Sequence, residues 1–165
     1  MQAAKANPGS NAATLTFPSD REMVITRVFN APRKLIFEAS TKPEHVRQWW
    51  GPRGTSLAVC EIDLRPGGKW RYVMRDPDGQ EYAFSGVYRE IDPPKRMVYT
   101  EWFEAIPGAE YLVTSTLDEH DGKTTLTAHL LYASKEHRDG HVQSGMEGGT
   151  RETHERLDEL LERMA

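Results

Sequence analysis

The sequence predicts an α+β domain in which a curved antiparallel β-sheet wraps around a long C-terminal helix. Three observations lead to this fold class. Six strand-like runs follow one another with short connections, which favours antiparallel pairing because parallel neighbours need a helix-length crossover. Several runs alternate apolar and polar residues, and the last segment carries an apolar stripe at helical spacing. The one-faced helix and the one-faced sheet are expected to bury their apolar sides against each other.

A first strand and two short helices open the folded part of the chain. Residues 23–29 form a β-prone run that ends at the Asn-Ala-Pro sequence of residues 30–32. Pro32 is well placed to open a short helix over residues 34–39. Thr41 can cap a second helix that starts at Pro43 and ends near Trp49.

Six further strands are separated by turn signals built on Pro, Gly and Asp, such as Pro-Gly-Gly at residues 66–68 and Asp-Gly at residues 121–122. The runs lie at residues 56–64, 69–75, 81–91, 96–104, 111–119 and 123–132.

Alternation assigns faces to two of these strands. Trp70, Tyr72 and Met74 share one face of the run at residues 69–75. In the last run an apolar row faces away from three polar residues. The row is Thr124, Leu126, Ala128, Leu130 and Tyr132, and the polar residues are Thr125, Thr127 and His129. The run at residues 96–104 carries large apolar side chains on both faces, so its orientation stays open.

The final segment predicts a helix of about 20 residues with one apolar side. Its stripe consists of Val142, Met146, Gly149, Thr153, Leu157, Leu160 and Met164. Gly145, Gly148 and Gly149 lie in or just before this helix, where each glycine costs about 1 kcal/mol relative to alanine. Two explanations stay open, close packing of the helix on the sheet and room for a ligand.

Composition bounds the class of protein. The chain has 165 residues, of which 28% are charged and 38% hydrophobic, as expected for one globular domain. We assign residues 1–20 to a flexible tail and residues 21–165 to the domain. With 21 basic and 25 acidic residues, the net charge of -4 leaves no basic excess for nucleic acid. The chain also lacks an apolar run of the roughly 20 residues that membrane insertion requires.

Local motifs bring a resemblance. They are Phe-Asn-Ala-Pro at residues 29–32, Trp-Trp-Gly-Pro at 49–52, Asp-Leu-Arg-Pro-Gly-Gly-Lys-Trp at 63–70, the segment 86–96 and the ending from Gly145 to Leu161. Together with the order of elements, they resemble the START-like helix-grip (SRPBCC) superfamily, in the branch named after the activator of heat-shock-protein-90 ATPase homologue. The resemblance covers nearly everything from Arg21 onward.

The resemblance implies an apolar cavity between the sheet and the long helix, occupied in different members by lipids or other hydrophobic small molecules. Binding such a molecule is the first functional hypothesis. The second is an enzyme of the polyketide-cyclase or aromatase type that uses the same cavity. The third is an interaction module acting on the chaperone; the activator has a further N-terminal domain that a twenty-residue tail does not supply. Members of the family often pair, so a homodimer is also considered.

Candidate ligand-binding residues combine aromatic side chains with a few polar groups, as ligand pockets do. They are Trp49, Trp50, Trp70, Tyr72, Met74, Phe84, Glu101, Trp102, His129, Met146 and Gly149. A filled aromatic core is the alternative for the aromatic members. Glu101 and His129 are the best candidates for ionisable groups that face the cavity, where burial would shift their pKa. The alternative is that both residues face water.

No catalytic residue is assigned, and we expect neither a metal nor a cofactor. His137 and His141 are four residues apart, but Gly140 disrupts a helix between them, so a solvated loop is expected there. Cys60 lies on a predicted strand without a base and is interpreted as a packed thiol. A single cysteine cannot form an internal disulfide, which favours a cytoplasmic location.

Overall fold

The computed structural model describes residues 12–165, where eight strands form one antiparallel sheet. The strands are β1 (Thr14–Thr16), β2 (Glu22–Phe29), β3 (Ser56–Ile62), β4 (Lys69–Arg75), β5 (Glu81–Asp92), β6 (Arg96–Phe103), β7 (Tyr111–His120) and β8 (Lys123–Tyr132). The helices are α1 (Arg33–Thr41), α2 (Pro43–Val46), α3 (Lys135–Gln143) and α4 (Met146–Met164). Among residues 12–165, none of the helices combines the length and apolar character that a membrane crossing requires.

The antiparallel α+β architecture is confirmed. The strand order is β1-β2-β8-β7-β6-β5-β4-β3, so most neighbours in the sheet are also neighbours in sequence. Tight turns make this possible: Asp121 and Gly122 join β7 to β8 with φ angles of 52° and 76°, the positive values of a two-residue hairpin turn. The two short helices follow β2, as expected from Pro32 and Pro43. The expected cap by Thr41 is wrong, because its hydroxyl donates to the carbonyl oxygen of Phe37 at 2.7 Å within α1, and α2 ends at Val46 rather than near Trp49.

One short strand lies inside the stretch that the sequence assigns to a flexible tail. Residues Thr14–Thr16 pair antiparallel with β2, with Thr14 opposite Thr26 and Thr16 opposite Val24. The tail assignment is therefore wrong for these residues, because β2 offers them a free sheet edge. Residues 1–11 of the same assignment lie outside the described residues.

The concave face of the sheet is the one that packs against α4. Phe29 on β2, Leu117 on β7 and Leu126 on β8 lie in one cluster with Leu157 of α4 and therefore define this face. Strand register then places Trp70, Tyr72 and Met74 of β4 on the concave face, together with Met97, Tyr99, Glu101 and Phe103 of β6. The orientation of β6, which the sequence leaves open, follows from Glu101 lying opposite Tyr111 of β7.

The C-terminal segment forms two helices where the sequence predicts one. Gly145 adopts a left-handed conformation with φ 86°, which ends α3 and lets α4 start at Met146. Val142 therefore belongs to α3 and not to the long helix. The expected solvated loop around Gly140 is also wrong, because Ser134 caps α3 by accepting a hydrogen bond from the backbone N–H of His137 at 3.1 Å.

Helix α4 is anchored by its second half, residues 154–164. Leu157, Leu160 and Leu161 are buried against β2, β7 and α1. On one side Arg27 pairs with Asp158, and on the other Arg156 donates to the carbonyl oxygen of Gly51 at 2.9 Å. The first half, residues 146–153, contains no buried residue. All fully buried residues of α4 therefore lie in its second half, and in the first half Met146 makes a partly buried contact with the core.

Candidate ligand-binding site on the concave face

A carboxyl group lies on the concave face near the middle of the sheet. The hydroxyl of Tyr111 donates a hydrogen bond to Oε2 of Glu101, which lies opposite it in the register. Oε1 receives no hydrogen bond from residues 12–165 and keeps accessible surface. Burial raises the pKa of Glu101 to about 7. Glu101 therefore sits deep in the fold with one oxygen facing free space, and it titrates near neutral pH.

A tyrosine and a histidine near Glu101 form a second hydrogen-bonded pair. Oη of Tyr132 on β8 lies 2.5 Å from Nδ1 of His141 on α3. Burial lowers the pKa of His141 to about 4, so the imidazole is neutral. Burial, and then the charge of Glu101, raise the pKa of Tyr132, which keeps its hydroxyl protonated. The hydroxyl thus donates to Nδ1, and the ring proton of His141 is on Nε2.

Aromatic rings lie on the same face beside Glu101. Phe84 of β5 stacks on Phe103 of β6 with ring centroids 5.1 Å apart, and Trp50 meets Phe84 edge-on, also at 5.1 Å. Tyr111 and Tyr132 are 4.9 Å apart, which places these two rings on the other side of Glu101. The carboxyl is therefore surrounded by ring surfaces.

The space in front of these rings is open. Trp50, Phe84, Glu101, Phe103 and Tyr111 are all only half-buried, although they lie on the face that the helices cover. A Cβ atom built on Gly148 of α4 would meet nothing within 4 Å, and one on Gly149 would meet only Pro52 at 3.6 Å. Close packing on the sheet therefore does not explain these two glycines, since there is free space beside the helix where their side chains would lie.

We call this region the concave cleft. It is the space in front of Phe84, Glu101, Phe103 and Tyr111, where Trp50 lies against Phe84 and His141 against Tyr111. On α4, Gly149 lies on the same helix face as the buried Leu160, three turns before it, and so points to the sheet side. An enclosed cavity of ligand size at this position stays a prediction.

Most of the candidate residues lie on the concave side, but in different surroundings. Trp50, Phe84, Glu101 and Gly149 border the concave cleft, and Met146 begins α4 close by and packs against the core under β2. Trp70 and Tyr72 are 3% and 7% exposed and belong to a packed core cluster, against which the partly buried Met74 rests. Trp49 packs beside α1 and donates from Nε1 to the carbonyl oxygen of Ala39 at 2.9 Å. For the buried Trp70 and Tyr72, and for the partly buried Trp49 that packs on a core cluster, the filled-core interpretation describes the structure.

Two candidates lie on the opposite, convex face. His129 is opposite Val24 of β2, and its Nε2 lies 2.5 Å from Oε2 of Glu22 at the protein surface. Trp102 donates from Nε1 to the carbonyl oxygen of Ile106 at 2.7 Å. The expectation that His129 and Trp102 face the concave side is wrong, because each is one residue out of phase with the concave positions of its strand.

Sequence reasoning missed Tyr111 and His141 as site residues. The signal for Tyr111 is the alternation of β7, which pairs it with Tyr132 of the apolar row. The four-residue spacing of His141 from His137 points only to a metal ligand. Within residues 12–165, no three His, Cys, Asp or Glu side chains are grouped so that they could hold a metal ion.

The convex face carries two shallow depressions. One is lined by Arg71, Ser85 and Trp102, among others, and the second by Val98, Leu112 and Leu131. Neither lies between the sheet and α4. Of the groups with perturbed pKa values described above, only Tyr132 borders one of them.

The curved antiparallel sheet closed over a C-terminal helix, with a half-open concave face, defines a helix-grip domain of the START-like (SRPBCC) superfamily. The family model for "Activator of Hsp90 ATPase homolog 1-like protein" matches residues 30–162, and the chain belongs to this family. No match was found among the curated proteins.

Solved structures of bacterial proteins share the whole fold. A protein from Rhodobacter sphaeroides is 28% identical with a TM-score of 0.86, over 92% of this chain and 99% of that one. A protein from Nitrosomonas europaea is 27% identical with a TM-score of 0.80, over 91% and 99%. A protein from Mycobacterium smegmatis is 29% identical with a TM-score of 0.77, over 89% and 96%. The resemblance seen in the sequence motifs is thereby confirmed for family and fold.

Proposed function

We propose that the protein binds a hydrophobic small molecule in the concave cleft. The observation that carries this proposal is the carboxyl of Glu101, with Oε1 unpartnered among the described residues and half-buried aromatic rings beside it. Ligand pockets combine apolar and aromatic walls with a small number of polar groups that orient the ligand. The rings of Trp50, Phe84 and Phe103 supply the wall, and Glu101 supplies the polar group.

The open first half of α4 supports the same proposal. Glycines at Gly148 and Gly149 cost helix stability, and no close contact in the described structure requires them. They leave free the volume that larger side chains would fill. The second half of α4 holds the helix in place, so the open half can remain unpacked.

Binding of the neutral fluorescent probe N-phenyl-1-naphthylamine tests the proposal. We expect saturable fluorescence enhancement with the wild type and its loss in Gly149→Leu, whose side chain would enter the cleft. Arg151→Leu adds the same side chain at an exposed position of α4 and should bind as the wild type does. Equal binding by both variants, or no saturable binding by the wild type, would contradict the proposal.

A second candidate function is acid–base catalysis of the polyketide-cyclase or aromatase type. The specific observation in its favour is that the pKa of Glu101 is raised to about 7, which suits a general acid or base at neutral pH. The test is incubation with a linear poly-β-keto thioester, followed by absorbance of the aromatic product. Turnover in the wild type that Glu101→Gln abolishes would support it, and a rate equal to the protein-free blank would exclude it for this substrate.

A further inference from the structure

The chain neutralises one concave-face charge and leaves another without a counter-charge. Arg27 on β2 is 4% exposed, and both carboxylate oxygens of Asp158 on α4 accept hydrogen bonds from its guanidinium. Glu101 forms no ion pair within residues 12–165, and the one hydrogen bond that its carboxyl accepts there comes from the hydroxyl of Tyr111. Within the described structure, the position that a counter-charge of Glu101 would occupy is therefore empty of charged side chains.

The groups that face Glu101 come from the neighbouring strands and from α3. They are Tyr99 and Phe103 on β6, Tyr111 on β7, Tyr132 on β8, Tyr72 on β4 and His141 on α3. Burial raises the pKa of Tyr72, Tyr99 and Tyr132, so these hydroxyls stay protonated, and burial lowers the pKa of His141, so its imidazole is neutral. Arg138 on α3 is held by Asp139 and by the carbonyl oxygen of Ser19.

The walls of the cleft suit a cation. The concave positions of β4, β5 and β6 within the described structure carry no lysine or arginine. The faces of aromatic rings attract cations through their quadrupole, and the attraction grows when the site is desolvated. The ring centroid of Phe84 lies 5.1 Å from that of Phe103 and 5.1 Å from that of Trp50.

We infer that the ligand of the concave cleft is a hydrophobic amine, whose ammonium group pairs with the Oε1 side of Glu101 while its apolar part lies against Trp50, Phe84 and Phe103. This inference rests on the proposed function and adds the chemical class of the ligand. The hydroxyl of Tyr111 holds the carboxylate in place from the opposite oxygen, Oε2.

Two compounds of the same shape test the inference, 1-naphthylmethylamine and 1-naphthylmethanol. By calorimetry at about pH 8, the wild type should bind the amine about tenfold more tightly than the alcohol. Amine affinity should rise between about pH 6 and pH 8, as Glu101 loses its proton. In Glu101→Gln the preference and its pH dependence should both disappear, while the alcohol still binds.

Glu110→Gln is the matched control, because it removes the same charge from an exposed position next to Tyr111. It should keep the preference for the amine. Equal affinity of the wild type for the two compounds, or a preference that survives in Glu101→Gln, overturns the amine assignment and leaves the proposed function standing. Failure of the wild type to bind either compound overturns both.

Discussion

Arg27 and Asp158 form a two-pronged ion pair between the sheet and the C-terminal helix. Nη1 and Nη2 of the guanidinium donate to the two carboxylate oxygens at 2.7 and 2.6 Å. The guanidinium also lies over the ring of Phe29, 4.4 Å from its centre. This arrangement fixes the second half of α4 relative to β2.

Removing the acid should destabilise the protein. Asp158→Ala leaves a buried guanidinium without its counter-charge, and we expect a loss of about 2–3 kcal/mol, somewhat below the range for fully buried pairs because the Asp158 side chain is 34% exposed. Urea unfolding measures the loss. The double variant Arg27→Met, Asp158→Leu removes both charges and should recover most of it. If the double variant were as unstable as Asp158→Ala, the loss would come from the packing of the two side chains and not from the unpaired charge.

Glu101 should make stability fall as pH rises. Its pKa is about 7 in the folded protein against 4.5 for an ordinary glutamate, so the folded state holds the proton more tightly. The associated stability is present below pH 4.5 and is lost as pH rises through 7. Glu101→Gln should therefore be more stable than the wild type by about 3 kcal/mol at pH 8, and by little at pH 4. Urea unfolding at both pH values would contradict this if the difference were constant.

His154 should make stability fall as pH decreases, which is the opposite of the effect of Glu101. Burial, and then the charge of Arg27, lower its pKa from 6.5 to about 4, so the unfolded chain takes up the proton first as pH falls. Stability is full above pH 6.5 and declines by about 3 kcal/mol down to pH 4. His154→Leu keeps an apolar contact with Phe29 and should flatten the decline, seen in melting temperatures across this range. His120→Leu, at a side chain that is 92% exposed, should leave the profile unchanged.

Substitution by alanine should have opposite effects on stability at two glycines. A Cβ on Gly86 of β5 would overlap the carbonyl oxygen of Thr100 and lie 2.6 Å from Nε1 of Trp70, so Gly86→Ala should cost at least about 2 kcal/mol through strand displacement. Gly148→Ala meets no atom within 4 Å and should gain about 1 kcal/mol from helix propensity. Chemical unfolding compares the two variants. A stabilised Gly86→Ala would show that β5 moves freely at this point.

The strands were predictable because turn residues mark their ends. The predicted runs at residues 69–75 and 123–132 coincide with β4 and β8. Helix α3 was not predictable in this way, since its sequence has no apolar stripe and includes Gly140. Its position depends on contacts distant in sequence, such as that between His141 and Tyr132. The short β1 likewise depends on pairing with β2.

The candidate site was predictable only where the strand faces were known. Glu101 was identified from its residue type, but its surroundings depend on the register between β6 and β7, which local sequence does not specify. For His129 the alternation of its strand already pointed away from the apolar row, and the structure follows that alternation. The unpaired state of Glu101 is a tertiary property, since it depends on which charges the other strands bring near.

The two halves of α4 have different surroundings: the second half packs in the core, and the first half borders the concave cleft. Substitutions that reshape the cleft around Gly149 and Phe84 need not disturb Leu157, Leu160 or the Arg27–Asp158 pair. If the cleft binds a ligand as proposed, single substitutions there can change the ligand while the domain stays folded. Relatives with the same backbone and less than a third of the residues in common are then expected to diverge first at the open end of the helix.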